Sequence, residues 1–186
     1  MLMRQHGEIR NLFDEVENTA GEERRDAFRR LVRMLAVHET AEEEVVHPFA
    51  RKAFGDAGQV VAERLEEERL AKEKLSALEK MDTEDAAFLP ALLELRVDVT
   101  EHARSEERYE FAHLRRSADP KRLVALAKAV RAAEATAPTH PHPGVESGAR
   151  NMALGPMATV MDRTRDAVRR AMGKDGRTAG EDSDAG

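Results

Sequence analysis

The stretch His38-Glu39-Thr40-Ala41-Glu42 decides the fold of this chain, together with its counterpart His102-Ala103-Arg104-Ser105-Glu106. Each stretch places a histidine and a carboxylate four residues apart, so both side chains lie on the same face of a helix. Pairs of this kind, projecting from facing helices, are how a helical bundle supplies nitrogen and oxygen ligands to a metal ion. The two stretches therefore predict an all-α protein with a metal site between its helices.

Both pairs lie on the apolar sides of their helices. The apolar residues that share these two faces are Leu31, Leu35, Val45 and Phe49 around the first pair and Leu92, Leu95 and Val99 before the second. A buried carboxylate without a partner is energetically costly, and a bound cation relieves that cost. Histidine and glutamate also pair on solvated helix surfaces, but the apolar neighbours favour a buried site.

The composition narrows the class of protein. The 186 residues suffice for one domain with a substantial core, and 35% of them are charged. The excess of 36 acidic over 30 basic residues argues against a nucleic-acid partner. Cysteine is absent, which excludes disulfides, thiolate zinc sites, iron–sulfur clusters and cysteine nucleophiles. Histidine and carboxylate remain as the strong metal ligands.

The first residues of the chain do not resemble an export signal. Residues 1–8 contain no apolar segment of the signal-peptide type, and no stretch approaches the roughly 18 apolar residues that a membrane-spanning helix needs. We therefore expect a cytoplasmic protein without a membrane partner. A reducing compartment also agrees with the lack of cysteine.

Helical periodicity predicts an up-down-up-down four-helix bundle with a C-terminal extension that is helical or disordered. The four helices are expected at about residues 2–18, from 22 to the glycines at 55 and 58, 59–81 and 85–117. Pro90 is compatible with the last of them only in its first turn. Residues 1–118 then form the bundle, residues 119–136 an additional helix packed on it, and residues 137–186 a proline-rich linker, a short helix at about 152–172 and a disordered tail.

Counting residues from the turns brings further candidates to the depth of the two pairs. At about 1.5 Å of rise per residue, His6 on the first helix and Glu68 on the third reach the same layer. Glu68 lies in an acidic run, whose usual position is a solvated face, but it shares a face with Val61, Leu65 and Leu75. Glu67 remains the alternative in this register.

Several other residues have weaker claims to the site. Tyr109 lies one turn beyond Glu106 and could be a redox-active or hydrogen-bonding neighbour, although packing in the core is the preferred interpretation. His47 and His113 are expected beside the ligands or on the surface. His140 and His142 are attributed to the composition of the linker.

Three segments resemble the hemerythrin/HHE cation-binding family over about residues 2 to 117: His6 to Phe13, His38 to Pro48, and His102 to Phe111. The proline-rich tail also resembles the C-terminal extension of bacterial relatives. The resemblance implies a four-helix bundle that binds two iron ions joined by an oxo or hydroxo bridge. It implies His6, His38 and His102 as nitrogen ligands and Glu42 and Glu106 as bridging carboxylates, with Glu39 and Glu107 as adjacent candidates.

The third helix departs from the family pattern. The family usually carries histidine there, whereas this chain has Glu68 at that position. A carboxylate in place of imidazole adds negative charge and favours a harder, more oxidised metal pair. This change argues against reversible oxygen carriage.

Three functions follow as hypotheses. The first is a non-haem di-iron protein that binds or reacts with O2, peroxide or NO. Its activity could be catalase-like decomposition of peroxide, which some members of the family carry out. The second is a non-enzymatic iron or redox sensor whose C-terminal tail contacts a protein partner. The third is a metal-free helical interaction domain. Iron content separates the first two from the third, and peroxide turnover separates the first from the second.

Overall fold

A computed structural model describes residues 1–53, 58–140 and 155–173, and these residues form helices and turns without any strand. The helices are α1 Leu2–Asn18, α2 Gly21–Ala41, α3 His47–Ala53, α4 Gly58–Leu78, α5 Phe88–Ser105, α6 Phe111–Ser117, α7 Pro120–Thr136 and α8 Gly155–Ala171. The chain forms the predicted all-α, up-down-up-down bundle from α1, α2 with α3, α4, and α5 with α6.

Two π-helical turns interrupt the bundle where continuous α-helices were expected. Glu42–Val46 joins α2 to α3, and Glu106–Glu110 joins α5 to α6. Each turn begins at the glutamate of a histidine–glutamate pair. A π turn closes its backbone hydrogen bond over five residues instead of four, and such turns are frequent at functional sites.

Local sequence explains where the other helices begin and end. Gly21, at the start of α2, has a φ of +58°, a conformation that favours glycine. The backbone N–H groups of Glu84 and Ala87 bond to the side chains of Asp82 (3.0 Å) and Asp85 (2.8 Å). These local bonds compete with helix hydrogen bonds, which is why α4 ends and α5 begins a few residues inside the predicted bounds. Pro90 falls in the first turn of α5, as expected.

The core has two apolar parts with a polar layer between them. One part fills the end of the bundle near the α4–α5 turn and includes Phe13, Phe28 and Phe88, with the rings of Phe28 and Phe88 in edge contact at 5.0 Å. The other lies beyond the π turns and is built around Val45, Phe111 and residues of α7. Along α2 and α5 the histidine–glutamate pairs lie between the two parts, so the helices must bury them.

The last two helices cover the far side of the bundle. α7 packs against α2 and the first π turn, and α8 packs against α7. The hydroxyl of Thr164 donates to the carbonyl of Thr136 (3.0 Å), and Nε of Arg165 lies 3.1 Å from a carboxylate oxygen of Glu44. Most of the predicted linker, including His142, and the predicted disordered tail after residue 173 lie outside the described residues.

No helix among the described residues is long and apolar enough to cross a membrane.

Candidate metal centre

Six side chains converge in the polar layer, and each of the four antiparallel arms of the bundle supplies at least one of them. α1 supplies His6, α2 His38, the first π turn Glu42, α4 Glu68, α5 His102 and the second π turn Glu106. They form two groups, and within each group one ligand atom of every residue lies within 4.8 Å of the others. The first group is His6, His38, Glu42 and Glu106, and the second is Glu42, Glu68, His102 and Glu106. The two glutamates belong to both groups, so the two candidate metal sites share two carboxylates.

The side chains of the first group are all buried. Nε2 of His6 lies 3.1 Å from Nε2 of His38 and 3.4 Å from Oε2 of Glu106. Nε2 of His38 is 3.2 Å from Oε1 of Glu42. His6 is 2% exposed and Glu42 0%, so neither polar group has solvent available.

The second group is looser and reaches the surface on one side. Nε2 of His102 lies 3.7 Å from Oε1 of Glu68 and 3.6 Å from Oε1 of Glu106. The side chain of His102 is 14% exposed, whereas Glu68 and Glu106 are buried. Space for an ion and for a further ligand is therefore available on this side.

Each histidine directs Nε2 inward and uses Nδ1 for a partner outside the layer. The Nδ1–H groups of His6, His38 and His102 donate to Glu107 (2.8 Å), Gln5 (3.1 Å) and Glu67 (3.0 Å), respectively. Metal-binding histidines usually have such a partner, which orients the ring and sets its tautomer. The three rings are thus held with their free nitrogen toward the centre.

The unpaired carboxylate oxygens of the layer are suitable ligands for a cation. Among the described residues, both oxygens of Glu42 and of Glu106, Oε2 of Glu68 and Nε2 of His102 are buried without a hydrogen-bond partner. Buried polar atoms are nearly always paired, and unpaired carboxylates are especially costly. Nitrogen and carboxylate donors together suit iron, manganese or zinc rather than a soft ion.

The protonation equilibria of the layer are strongly displaced. Burial, reinforced by the neighbouring His6, lowers the pKa of His38 to about 3. Burial, Glu106 and Glu68 raise the pKa of Glu42 well above its ordinary value. Burial would also raise the pKa of Glu106, but the nearby imidazoles of His102 and His6, 3.6 and 3.4 Å away, reverse this and lower it. One carboxyl thus keeps its proton more readily than the other, and a bound cation would displace that proton.

The chain matches the family model described as hemerythrin HHE cation-binding domain over residues 1–114. It belongs to this hemerythrin family. It is also 30% identical over 134 residues to an uncharacterised hemerythrin-like protein of Schizosaccharomyces pombe, covering 71% of this chain and 66% of the yeast protein. The chain thus spans about two thirds of that relative. No solved structure gave a significant match.

Four further residues predicted as candidate ligands of this hemerythrin-like protein lie outside both groups. Glu67 and Glu107 serve as Nδ1 partners, so on α4 the register places Glu68 in the layer. Glu39 lies 4.0 Å from Nζ of Lys72. Tyr109 is 61% exposed, with the Arg108 guanidinium 5.4 Å from its ring centre. The expected core packing of Tyr109 is therefore wrong, because the second π turn leaves it facing solvent.

The π turns bring His47 and Phe111 to the hemerythrin centre. The backbone N–H groups of His47 and Phe111 bond to the carbonyls of Glu42 and Glu106, five residues earlier. The Phe111 ring stacks on His6, with centres 5.8 Å apart and planes at 19°. Nε2 of His47 lies 2.5 Å from Oε1 of Glu68, and His47 is 1% exposed, which rules out the surface alternative. The predicted position of His47 beside the ligands is thereby confirmed. The contact of Phe111 was not predicted, because in a continuous α-helix a residue five positions beyond Glu106 points away from it.

A cavity of about 350 Å³ adjoins the centre. Its inner wall includes the candidate ligands, and its remaining walls include the apolar side chains of Ile9, Phe13, Leu35 and Val99. Lys74 and Asp98, which pair with each other and are each 42% exposed, also line it and mark where it reaches the surface. A small molecule can therefore approach the second group.

Proposed function

We propose that this hemerythrin-like protein holds two iron ions in the polar layer and reacts there with O2, peroxide or NO. The observation that carries the proposal is the sharing of Glu42 and Glu106 between two compact groups of ligand atoms. His6 and His38 would hold one ion, and Glu68 and His102 the other. We also propose that it acts in the cytoplasm, a reducing compartment that agrees with the lack of cysteine in the sequence.

Iron fits this donor set and the proposed chemistry together. Imidazole suits iron, and carboxylates favour its oxidised form. A pair of iron ions, when bound, supplies two electrons to a small oxidant or accepts them. With two carboxylates shared and a third at Glu68, the ligands carry more negative charge than imidazoles would, which supports redox reactions over reversible oxygen carriage.

Peroxide decomposition is the activity that the surroundings support best. The reaction converts two H2O2 molecules into two H2O and one O2, so it consumes no outside reductant. Burial raises the pKa of Glu39, which lines the cavity, to about 8. Its carboxyl group therefore holds a proton at neutral pH and can exchange it with a peroxide oxygen in the cavity.

The experiment is metal analysis of protein produced in iron-rich medium, followed by oxygen-electrode measurement of O2 release from added H2O2. We expect about two iron ions per chain and O2 release that the metal-free protein lacks. A Glu42→Gln variant should lose both properties, and Glu94→Gln, at an exposed glutamate of α5 that does not line the cavity, should keep them. Iron well below one per chain would contradict the proposal.

A redox sensor is the second candidate, and one contact favours it. Arg165 of α8 pairs with Glu44, which lies in the same π turn as the shared ligand Glu42. A change in metal or redox state could therefore alter the docking of α8 and its availability to a protein partner. Iron binding without peroxide turnover, with protease cleavage between α7 and α8 that depends on oxidation state, would support this function instead.

A further inference from the structure

His47 lies between two buried glutamates just behind the ligand layer. Its Nε2 is 2.5 Å from Oε1 of Glu68, and its Nδ1 is 3.9 Å from Oε2 of Glu110. All three residues are at most 3% exposed. His47 belongs to neither group of ligand atoms, but it contacts a member of one of them.

We infer that His47 is a positioning residue that fixes Glu68 for the metal, with Glu110 holding the far side of the imidazole. This inference rests on the proposed metal-binding function. A glutamate side chain has several rotatable bonds, and ordering it lowers the entropy of the site. The bond from His47 keeps Oε1 of Glu68 within 3.7 Å of Nε2 of His102, where the second group assembles.

The other ligands show the same kind of support. Glu107, Gln5 and Glu67 each accept the Nδ1–H of a candidate histidine ligand. Glu68 is the carboxylate of the third helix, so its equivalent support must come from a donor, and the imidazole N–H of His47 is one. A hydrogen bond from a ring N–H to an ionised carboxylate is among the stronger kinds, and partners of this type typically change metal affinity 10- to 100-fold.

Glu110 completes the arrangement from the second π turn. Both of its oxygens and Nδ1 of His47 are buried without a hydrogen-bond partner among the described residues, and they face each other. The acidic group favours the ring orientation that directs Nε2 toward Glu68. His47 follows the first π turn and Glu110 ends the second, so the two turns together place this pair.

The test compares His47→Phe, which keeps the ring shape but removes the donor, with His47→Gln, which keeps an N–H donor. Chelator competition measures the affinity of the more weakly held iron, and the near-ultraviolet and visible spectrum reports its ligand geometry. We expect His47→Phe to lose affinity about 10-fold or more with an altered spectrum, and His47→Gln to recover part of both. Glu110→Gln should have a smaller effect in the same direction. His140→Phe removes another histidine–glutamate contact, the exposed one with Glu79 at 2.8 Å, and should change neither.

A double-mutant cycle separates positioning from general packing. If His47 acts through Glu68, adding His47→Phe to Glu68→Gln should weaken iron binding little further. Wild-type affinity and spectrum in His47→Phe, or full additivity in the cycle, would overturn the inference while leaving two-iron binding by the wild type intact. Failure of the wild type to bind two ions would instead overturn the proposed function and this inference with it. Circular-dichroism melting of each metal-free variant identifies any that fail to fold. If His47→Phe does not fold, the iron affinity and spectrum of His47→Gln are compared with those of the wild type instead.

Discussion

The two halves of the candidate metal centre differ in ligands and in access. The side chains of His6 and His38, in the histidine-rich half between α1 and α2, are 1% and 6% exposed. In the carboxylate-rich half between α4 and α5, Glu68 is buried but the side chain of His102 is 14% exposed. Residues of both halves line the cavity, and Glu42 and Glu106 are shared by both. We therefore expect a small molecule to reach the second half more readily than the first.

Removing a shared carboxylate should have the largest effect, because it damages both halves at once. Glu42→Gln should reduce bound iron from about two ions to less than about half an ion per chain. Atomic absorption of the purified variant measures this. Loss of only one ion would show that Glu42 serves a single half, and Glu94→Gln is the matched control on the protein surface.

Removing the iron should destabilise the bundle by several kcal/mol. A ligand present at 1,000 times its dissociation constant stabilises the folded state by about 4 kcal/mol. The metal-free protein also keeps Glu42, Glu68 and Glu106 together without a cation. We expect a clearly lower melting temperature for the metal-free protein by differential scanning calorimetry. Coincident melting curves would contradict a buried site.

Replacing Glu68, which stands where the family usually carries histidine, should make the two halves more alike. Glu68→His should keep iron bound, shift the charge-transfer absorption and slow peroxide turnover, because imidazole supports the oxidised ions less well. Visible spectroscopy and O2 release provide the measurements. Glu66→His, at a residue with a side chain that is 57% exposed, should change neither. A parallel Glu67→His variant tests the register, and an unchanged spectrum in both Glu68→His and Glu67→His would mean that α4 contributes no ligand.

In the metal-free protein, the histidines of the two halves should contribute to the pH dependence of stability with opposite signs, and Glu39 should act in the same direction as His102. The pKa of His38 falls to about 3 on folding, because of burial and the neighbouring His6. Between about pH 3 and 6.5 the unfolded chain therefore binds more protons at this residue, and its contribution to stability rises with pH. Burial opposes protonation of His102, but the nearby carboxylate of Glu106 and the hydrogen bond to Glu67 outweigh it and raise its pKa to about 10. Burial raises the pKa of Glu39 to about 8.

For His102 and Glu39 the folded state binds more protons, so stability falls as pH rises through their folded pKa values. Above pH 6.5 His38 no longer compensates. We expect the unfolding free energy of the metal-free protein to fall between pH 6.5 and about 8 by about 1 kcal/mol per pH unit for each group, and above pH 8 through His102 alone. Urea unfolding at several pH values measures it, and Glu39→Gln should reduce the slope below pH 8. A flat profile would show that the two groups titrate alike in the folded and unfolded chains.

The chain sequence determined the helices and the polar layer. Histidine and glutamate four residues apart on apolar helix faces predicted a metal site in an all-α bundle, because an α-helix places such residues on one side. Equal distances from the turns brought His6 and Glu68 to the same depth. The structure brings these predicted residues together, whereas their binding of iron remains a prediction.

Only the tertiary structure decided which neighbours support the layer. The two π turns depend on how α2 and α5 meet the other helices, and they carry His47 to Glu68 and Phe111 to His6. Glu67 and Glu107 are chemically indistinguishable from ligands in the sequence, yet packing gives each of them a histidine Nδ1 partner instead. Residues adjacent along a helix point about 100° apart, so a small change in helical register decides which carboxylate reaches the centre. Contacts between helices set that register.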